Sequence, residues 1–132
     1  MARPLNVTDY MAKECITFRP DQNVLEAIQT LLTNRISGAP VVDDENRIVG
    51  ILSEKDCLPV ILEASYHNDP GKLVRDLMST NVTTVDAEAS LMDVAEKFIA
   101  TSFRRFPVVS KGKLVGQISR RDVLRAIETL RG

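Results

Sequence analysis

An α+β fold, built from two β-α-β-β-α repeats related by pseudo-twofold symmetry and packed through their sheets, follows from three observations. Residues 16–62 lie over residues 83–128: "VLEAIQTLL" at 24 over "LMDVAEKFI" at 91, "APVV" at 39 over "FPVV" at 106, and "RIVGILSEKD" at 47 over "KLVGQISRRD" at 113. Self-similarity of this kind marks one supersecondary unit used twice. Within each copy the apolar spacing switches between the helical period and short β-branched runs. Each copy holds too few elements to be stable alone, so the two are expected to share a core. The chain then divides into 1–66, lead-in and first repeat, and 67–132, linker and second repeat, together one module.

The elements follow in order. "CITF" at 15 is a short strand stopped by Arg19 and Pro20, with Thr83 and Thr84 in the matching place. Val24, Leu25, Ile28, Leu31 and Leu32 recur at helical spacing, as do Leu91, Val94, Ala95, Phe98 and Ile99, giving each helix one apolar face. "PVV" and "IVGIL" are too short for helices and read as a hairpin. Its turn is "DDEN" in the first copy and "SKG" in the second, which absorbs a one-residue slip between the repeats. Pro40 and Pro107 must begin their strands or sit where no ladder donor is needed. Ser53 and Ser119 open the last helices, which carry Leu58, Ile61 and Leu62 in one copy and Val123, Leu124, Ile127 and Leu130 in the other. Pro59 should kink or shorten the first of these; Arg125 stands in its place in the second. "SYHNDPG" reads as a loop, and "KLVRDLM" as a short helix mirroring "VTDYM" ahead of the first repeat.

Composition narrows the function classes. With 17 basic against 18 acidic side chains, the chain lacks the basic excess through which nucleic-acid and anionic-membrane binders work. Cys15 and Cys57 form no CxxC pair and no disulfide framework, and no leader or spanning segment is evident, so a cytoplasmic location is expected.

One motif remains: Gly50-x-x-Ser53-x-x-Asp56, repeated 66 positions later as Gly116-x-x-Ser119-x-x-Asp122. Ser followed three residues on by an acid is a capping box, with the Ser oxygen taking a backbone N–H and the acid reaching back. The preceding Gly permits close packing or a bulge. A helix start directly after a strand also suits phosphate, and a first-turn carboxylate suits a vicinal diol. The motif alone leaves both readings open.

The stretches "ISGAPVVDDENRIVGILSEKD" at 36 and "RRFPVVSKGKLVGQISRRD" at 104 closely resemble the CBS domain, which usually occurs in tandem as a Bateman module. The resemblance covers nearly the whole chain, and no catalytic domain is left over. It implies a stand-alone regulatory pair that holds an adenosine-containing ligand, such as AMP, ADP or ATP, in clefts between the repeats. The motif Asp would hold the ribose hydroxyls. In the favoured cleft, Asp122 works with Ser119, Arg120 and Arg121, with Arg104 nearby and with Ile16 and the Ile36-Ser37-Gly38 turn facing the base. The second cleft, expected to be weaker or empty, uses Asp56, Ser53 and Lys55 with Thr83, Phe103 and Arg105. There Glu54 replaces Arg120 and makes phosphate less welcome. The arginines otherwise read as a solvated basic face. The resemblance further implies a homodimer through the apolar last helices and signalling to an unknown partner protein.

Catalysis finds no candidates. His67, the only histidine, lies in a polar segment, and no P-loop, GxGxxG, metal-ligand cluster or nucleophile with a base is present. Neither an enzyme nor a metal site is expected, and no cofactor beyond the ligand. Two rivals stay open: an interaction module in which both motifs are only caps, and a sensor of S-adenosylmethionine or a dinucleotide, whose adenosine half would bind identically.

Overall fold

The computed structural model describes residues 5–67 and 71–131, and it is mixed α and β, with two repeats of strands and helices. Its two compact units are Ile16–Val82, and Met1–Cys15 together with Thr83–Gly132. A division at 66/67 leaves each half its own lead-in, whereas the units exchange them: the segment before the first repeat packs on the second, and the segment after residue 67 on the first.

In the Ile16–Val82 unit, α1 (Val24–Asn34) begins where the Asn23 side chain accepts the Leu25 N–H at 2.7 Å, relieving one of the unpaired donors of a helix start. It ends at Arg35, whose φ of 54° turns the chain while its N–H reaches back to Leu31 and Leu32. β1 (Gly38–Val42) and β2 (Ile48–Ser53) form the expected antiparallel hairpin, with a bulge between Val41 and Val42. Asp43 Oδ1 accepts the N–H groups of Glu45 and Arg47, both at 2.9 Å, and so closes the turn.

Three short helices follow. Pro59 shortens the helix after Ser53 to α2 (Glu54–Cys57) and becomes the first residue of α3 (Pro59–His67), a position where a missing N–H costs nothing. The loop expected over "SYHNDPG" is corrected, because residues 65–67 continue α3; residues 68–70 of that stretch lie outside the described residues. α4 (Val74–Leu77) is the short helix expected there.

The lead-in strand over "CITF" is also corrected. Only Phe18 bridges β1, donating to Pro40 O and accepting from the Val42 N–H, both at 2.9 Å. The next rung toward the N-terminus would need an N–H at residue 40, which proline lacks, so the pairing stops after one bridge. Pro40 thus sits where β2 asks no donor of it, since its partner Ile51 turns both backbone groups to Ser79. The core gathers Phe18, Val24, Ala27, Leu31, Val41, Leu52 and Val74.

The second unit repeats this with differences. β3 (Val85–Asp86) pairs parallel with β4 (Arg105–Ser110), which pairs antiparallel with β5 (Lys113–Ser119). α5 (Leu91–Ala100) is capped by Ser90, and α6 (Arg120–Arg131) runs unbroken as Arg125 allows. "VTDYM" gives a 3₁₀ turn at Val7–Asp9 rather than a helix. Phe106, Phe98, Val7, Val94, Val108 and Ile118 form the core. In neither repeat is the first helix's apolar face wholly buried: Leu25, Leu32 and Ile99 are exposed.

Candidate functional site

The repeated motif builds the same structure in each unit. Ser53 donates its N–H to Asp56 Oδ2 at 2.9 Å while its hydroxyl accepts the Asp56 N–H at 3.2 Å. Ser119 and Asp122 do likewise at 2.8 and 3.1 Å. Both are complete capping boxes at a strand-to-helix junction. The capping reading of the motif therefore holds, and it has a further consequence. One carboxylate oxygen is committed to backbone, which locks the rotamer and aims the other in a fixed direction.

The second oxygens differ. Among the described residues Asp56 Oδ1 has no partner, whereas Asp122 Oδ1 takes the guanidinium of Arg125, which also donates to Tyr10 O at 3.2 Å. The Arg125 contact was not anticipated; its sequence signal is the i,i+3 spacing from Asp122.

Each capped start is flanked by the pre-proline segment of its own unit. Ser37 O accepts the Glu54 N–H at 2.8 Å, and Gly38 pairs with Ser53 so closely that an added Cβ would lie 3.0 Å from Leu52 O. Ile16 and Ile36 are half-buried against that core. In the other unit Arg104 O accepts the Arg120 N–H at 3.1 Å, Arg105 pairs with Ser119, and Arg120 Nε donates to Phe103 O at 3.0 Å. Arg120 is thereby tied to its own loop. The side chains of Arg104, Arg105 and Arg121 are exposed and make no ion pair among the described residues. Thr83 is half-buried, and its neighbour Thr84 accepts Lys97 Nζ at 2.6 Å; that ammonium also stands 5.6 Å above the Phe106 ring. Lys55 is exposed beside Glu54.

Burial pushes the thiol pKa of Cys15 above its ordinary value, and burial followed by the Asp56 charge does the same for Cys57. Both cysteines are free thiols, held in the less nucleophilic protonated form. Among the described residues no cluster of His, Cys, Asp and Glu could hold a metal, and no helix is long and apolar enough to cross a membrane.

The family model of the CBS domain matches residues 7–63 and again 74–129. The chain is 33% identical over 121 residues to the uncharacterized protein MJ1225 of Methanocaldococcus jannaschii, covering 92% of this chain and 42% of that protein. It is 32% identical to the chloroplastic CBS domain-containing protein CBSX1 of Arabidopsis thaliana, covering 91% and 63%. The chain thus spans less than two thirds of the length of these relatives. Among solved structures it resembles CBSX2 in complex with AMP, at a TM-score of 0.82 and 31% identity, covering 97% and 99%. It also resembles the CBS pair of protein MJ0100 in complex with 5′-methylthioadenosine and S-adenosyl-L-methionine, at a TM-score of 0.73 and 26% identity, covering 97% and 99%.

Proposed function

The chain belongs to the CBS-domain family, and we propose that it is a regulatory module which binds an adenosine-containing ligand and reports its occupancy to a partner protein. The observation that carries this reading is the pair of identical first-turn carboxylates, each clamped to backbone by one oxygen at a strand-to-helix junction. A carboxylate fixed in this way can accept from both hydroxyls of a ribose without first losing rotamer freedom. The AMP-bound CBSX2 structure, similar over nearly its whole length, supports an adenine nucleotide as the ligand.

Asp122 is the favoured anchor. Ser119, Arg121 and Arg104 accompany it, and it lies in the first turn of a helix of 12 residues, whose N-terminal partial charge also favours phosphate. Arg125, which holds Asp122 Oδ1, shares or yields that oxygen when ribose binds. Asp56 has the freer carboxylate but a Glu at the position of Arg120 and a helix of only four residues, so its affinity is lower. The module carries out no chemistry of its own; ligand acts only through differential affinity for two conformations. Leu58, Ile61 and Leu62, 64 to 69% exposed, and Leu124 and Ile127, at 60 and 51%, are more apolar surface than a lone chain in a cytoplasm is expected to show, and a homodimer covers them.

Isothermal titration with AMP, ADP, ATP and S-adenosylmethionine, with Asp122→Ala as control, tests the reading. Saturable binding that the variant loses is expected. No binding to ligand-stripped protein would leave two helix caps and an interaction module. The MJ0100 pair, bound to S-adenosyl-L-methionine, is the reason for including the last titrant.

A further inference from the structure

The two motif carboxylates have the same cap and different neighbours. One nitrogen of Arg125, Nη2, donates to Asp122 Oδ1 and also to Tyr10 O, the latter at 3.2 Å. A single group thus joins the first turn of α6 to the lead-in packed on the same unit. The residue 66 positions earlier is Pro59, whose ring has no such donor, and Asp56 Oδ1 has no partner among the described residues. Among those residues the tie belongs to the second repeat alone.

The lead-in is fastened on either side of this contact. Before it, the Val7 N–H donates to Ala89 O at 3.2 Å, and Val7 is fully buried. After it, Ala12 and Gln117 exchange two bonds at 2.8 and 2.9 Å. The Asp122 side chain is 15% exposed and that of Arg125 61%. The carboxylate is therefore held in place, while the arginine can leave it for water.

We infer that Arg125 is an intramolecular competitor for the ligand's diol at Asp122, and that its displacement reports occupancy to residues 10–12. Asp122 Oδ2 is committed to the Ser119 N–H at 2.8 Å, so Oδ1 is the oxygen with room for a diol, and the guanidinium sits on it. Once the diol takes Oδ1, Arg125 keeps only a neutral carbonyl, an acceptor about half as strong as a carboxylate. That bond alone does not hold a solvated arginine against its rotamer freedom, so Tyr10 is released too. Linkage makes the effect reciprocal: the factor by which Arg125 weakens diol binding is the factor by which the diol weakens the Arg125 contact. The inference rests on the ligand reading above and adds the residue that sets affinity at this site and carries its signal.

The test uses the full chain with Arg125→Met, which keeps a helix-forming side chain of similar reach without the charge. Adenosine is the probe, since it brings the diol and no phosphate; AMP is run beside it. The variant is expected to bind adenosine several-fold more tightly than the wild type, and the gain to vanish when Asp122→Ala is added. Amide exchange at Ala12 and Gln117, followed by NMR, should quicken several-fold when the wild type is saturated with AMP. In ligand-free Arg125→Met it is already quick, and AMP changes it no further. Unchanged or weaker adenosine binding by the variant overturns the competition and leaves the ligand reading standing. Binding that leaves the wild-type exchange unchanged overturns the signal. Binding by the variant alone supports the competition, with the wild-type site held shut by Arg125. If neither protein binds adenosine or AMP, the ligand reading falls and the competition with it. Should adenosine be too weak to measure in both, the same comparison is read from AMP; should Arg125→Met fail to fold, Arg125→Gln takes its place with the same outcomes.

Discussion

A methyl group placed on Gly50 would lie 2.6 Å from the thioether sulfur of Met78 and 2.9 Å from Ser79 O; one on Gly116 would lie 2.8 Å from Met11 Sδ and 2.6 Å from Ala12 O. The glycine of the repeated motif is therefore where the exchanged lead-in lands. Ile51 and Ser79 trade both backbone hydrogen bonds at 2.9 Å, and Ala12 and Gln117 theirs at 2.8 and 2.9 Å. Each lead-in adds itself to the free edge of the hairpin's second strand, and only a residue without a side chain lets it come so close.

Gly116→Ala and Gly50→Ala are accordingly destabilising, each by roughly 1–3 kcal/mol as overpacking. The first is the more severe, because its closest clash is with a backbone oxygen rather than a flexible methionine end. Urea midpoints of the two variants check the order. Midpoints at the wild-type value would show that the lead-ins do not make these contacts, and equally depressed midpoints would overturn the order alone.

Capping and ligand binding separate at the motif. Ser119→Ala removes the hydroxyl that accepts the Asp122 N–H but leaves the carboxylate in place. It should cost about 0.5–2 kcal/mol of stability and weaken nucleotide binding by less than about tenfold, ~1.4 kcal/mol. Asp122→Ala should lose comparable stability and, in addition, measurable binding. Thermal unfolding with and without nucleotide reads both quantities.

The repeat, both hairpins and the two caps were legible because they are local: residue types at fixed spacing decide them. The effect of Pro59 was legible for the same reason, being a property of one ring. The exchange of lead-ins was not, since Ala12 meets Gln117 through backbone atoms, which leave no mark in the sequence beyond the glycine beside them. The strand expected at "CITF" was lost to an effect readable only once its partner is known, the absent N–H of Pro40. In the motif, the spacing of Ser53 and Asp56 and of Ser119 and Asp122 is enough to read the two capping boxes. The tie of Arg120 to Phe103 and of Arg125 to Asp122 depends on side-chain direction, which a list of charged residues does not contain.

Phe106 holds the second unit together. It is 1% exposed, stacked on Phe98 at 4.5 Å and met edge-on by Phe103 at 5.8 Å. Phe106→Ala should cost about 3–5 kcal/mol as lost burial plus cavity. Phe103, nearly half exposed, contributes chiefly the edge contact, so Phe103→Ala should cost about 1 kcal/mol. Chemical denaturation of the pair measures the contrast, and equal losses would contradict the burial assigned to Phe106.

Cys57 makes stability depend on pH in the alkaline range. Its thiol is raised above the ordinary 9.0 by burial and then by the neighbouring Asp56 charge. Below that value both the folded and the unfolded chain carry the neutral thiol, and its contribution to stability is complete. As pH rises past it the unfolded chain ionises first, so the contribution is lost until the folded thiol ionises as well. As pH rises past 9.0 the urea midpoint of the wild type should therefore fall more steeply than that of Cys57→Ala. Asp56→Asn removes the charge and should bring the alkylation rate of Cys57 up at a given pH, while leaving Cys15, raised by burial alone, unchanged. Ser53→Ala weakens the same cap but keeps the charge, so it serves as the control. If Ser53→Ala accelerates Cys57 as much as Asp56→Asn does, loosening of the helix and not the carboxylate governs the thiol.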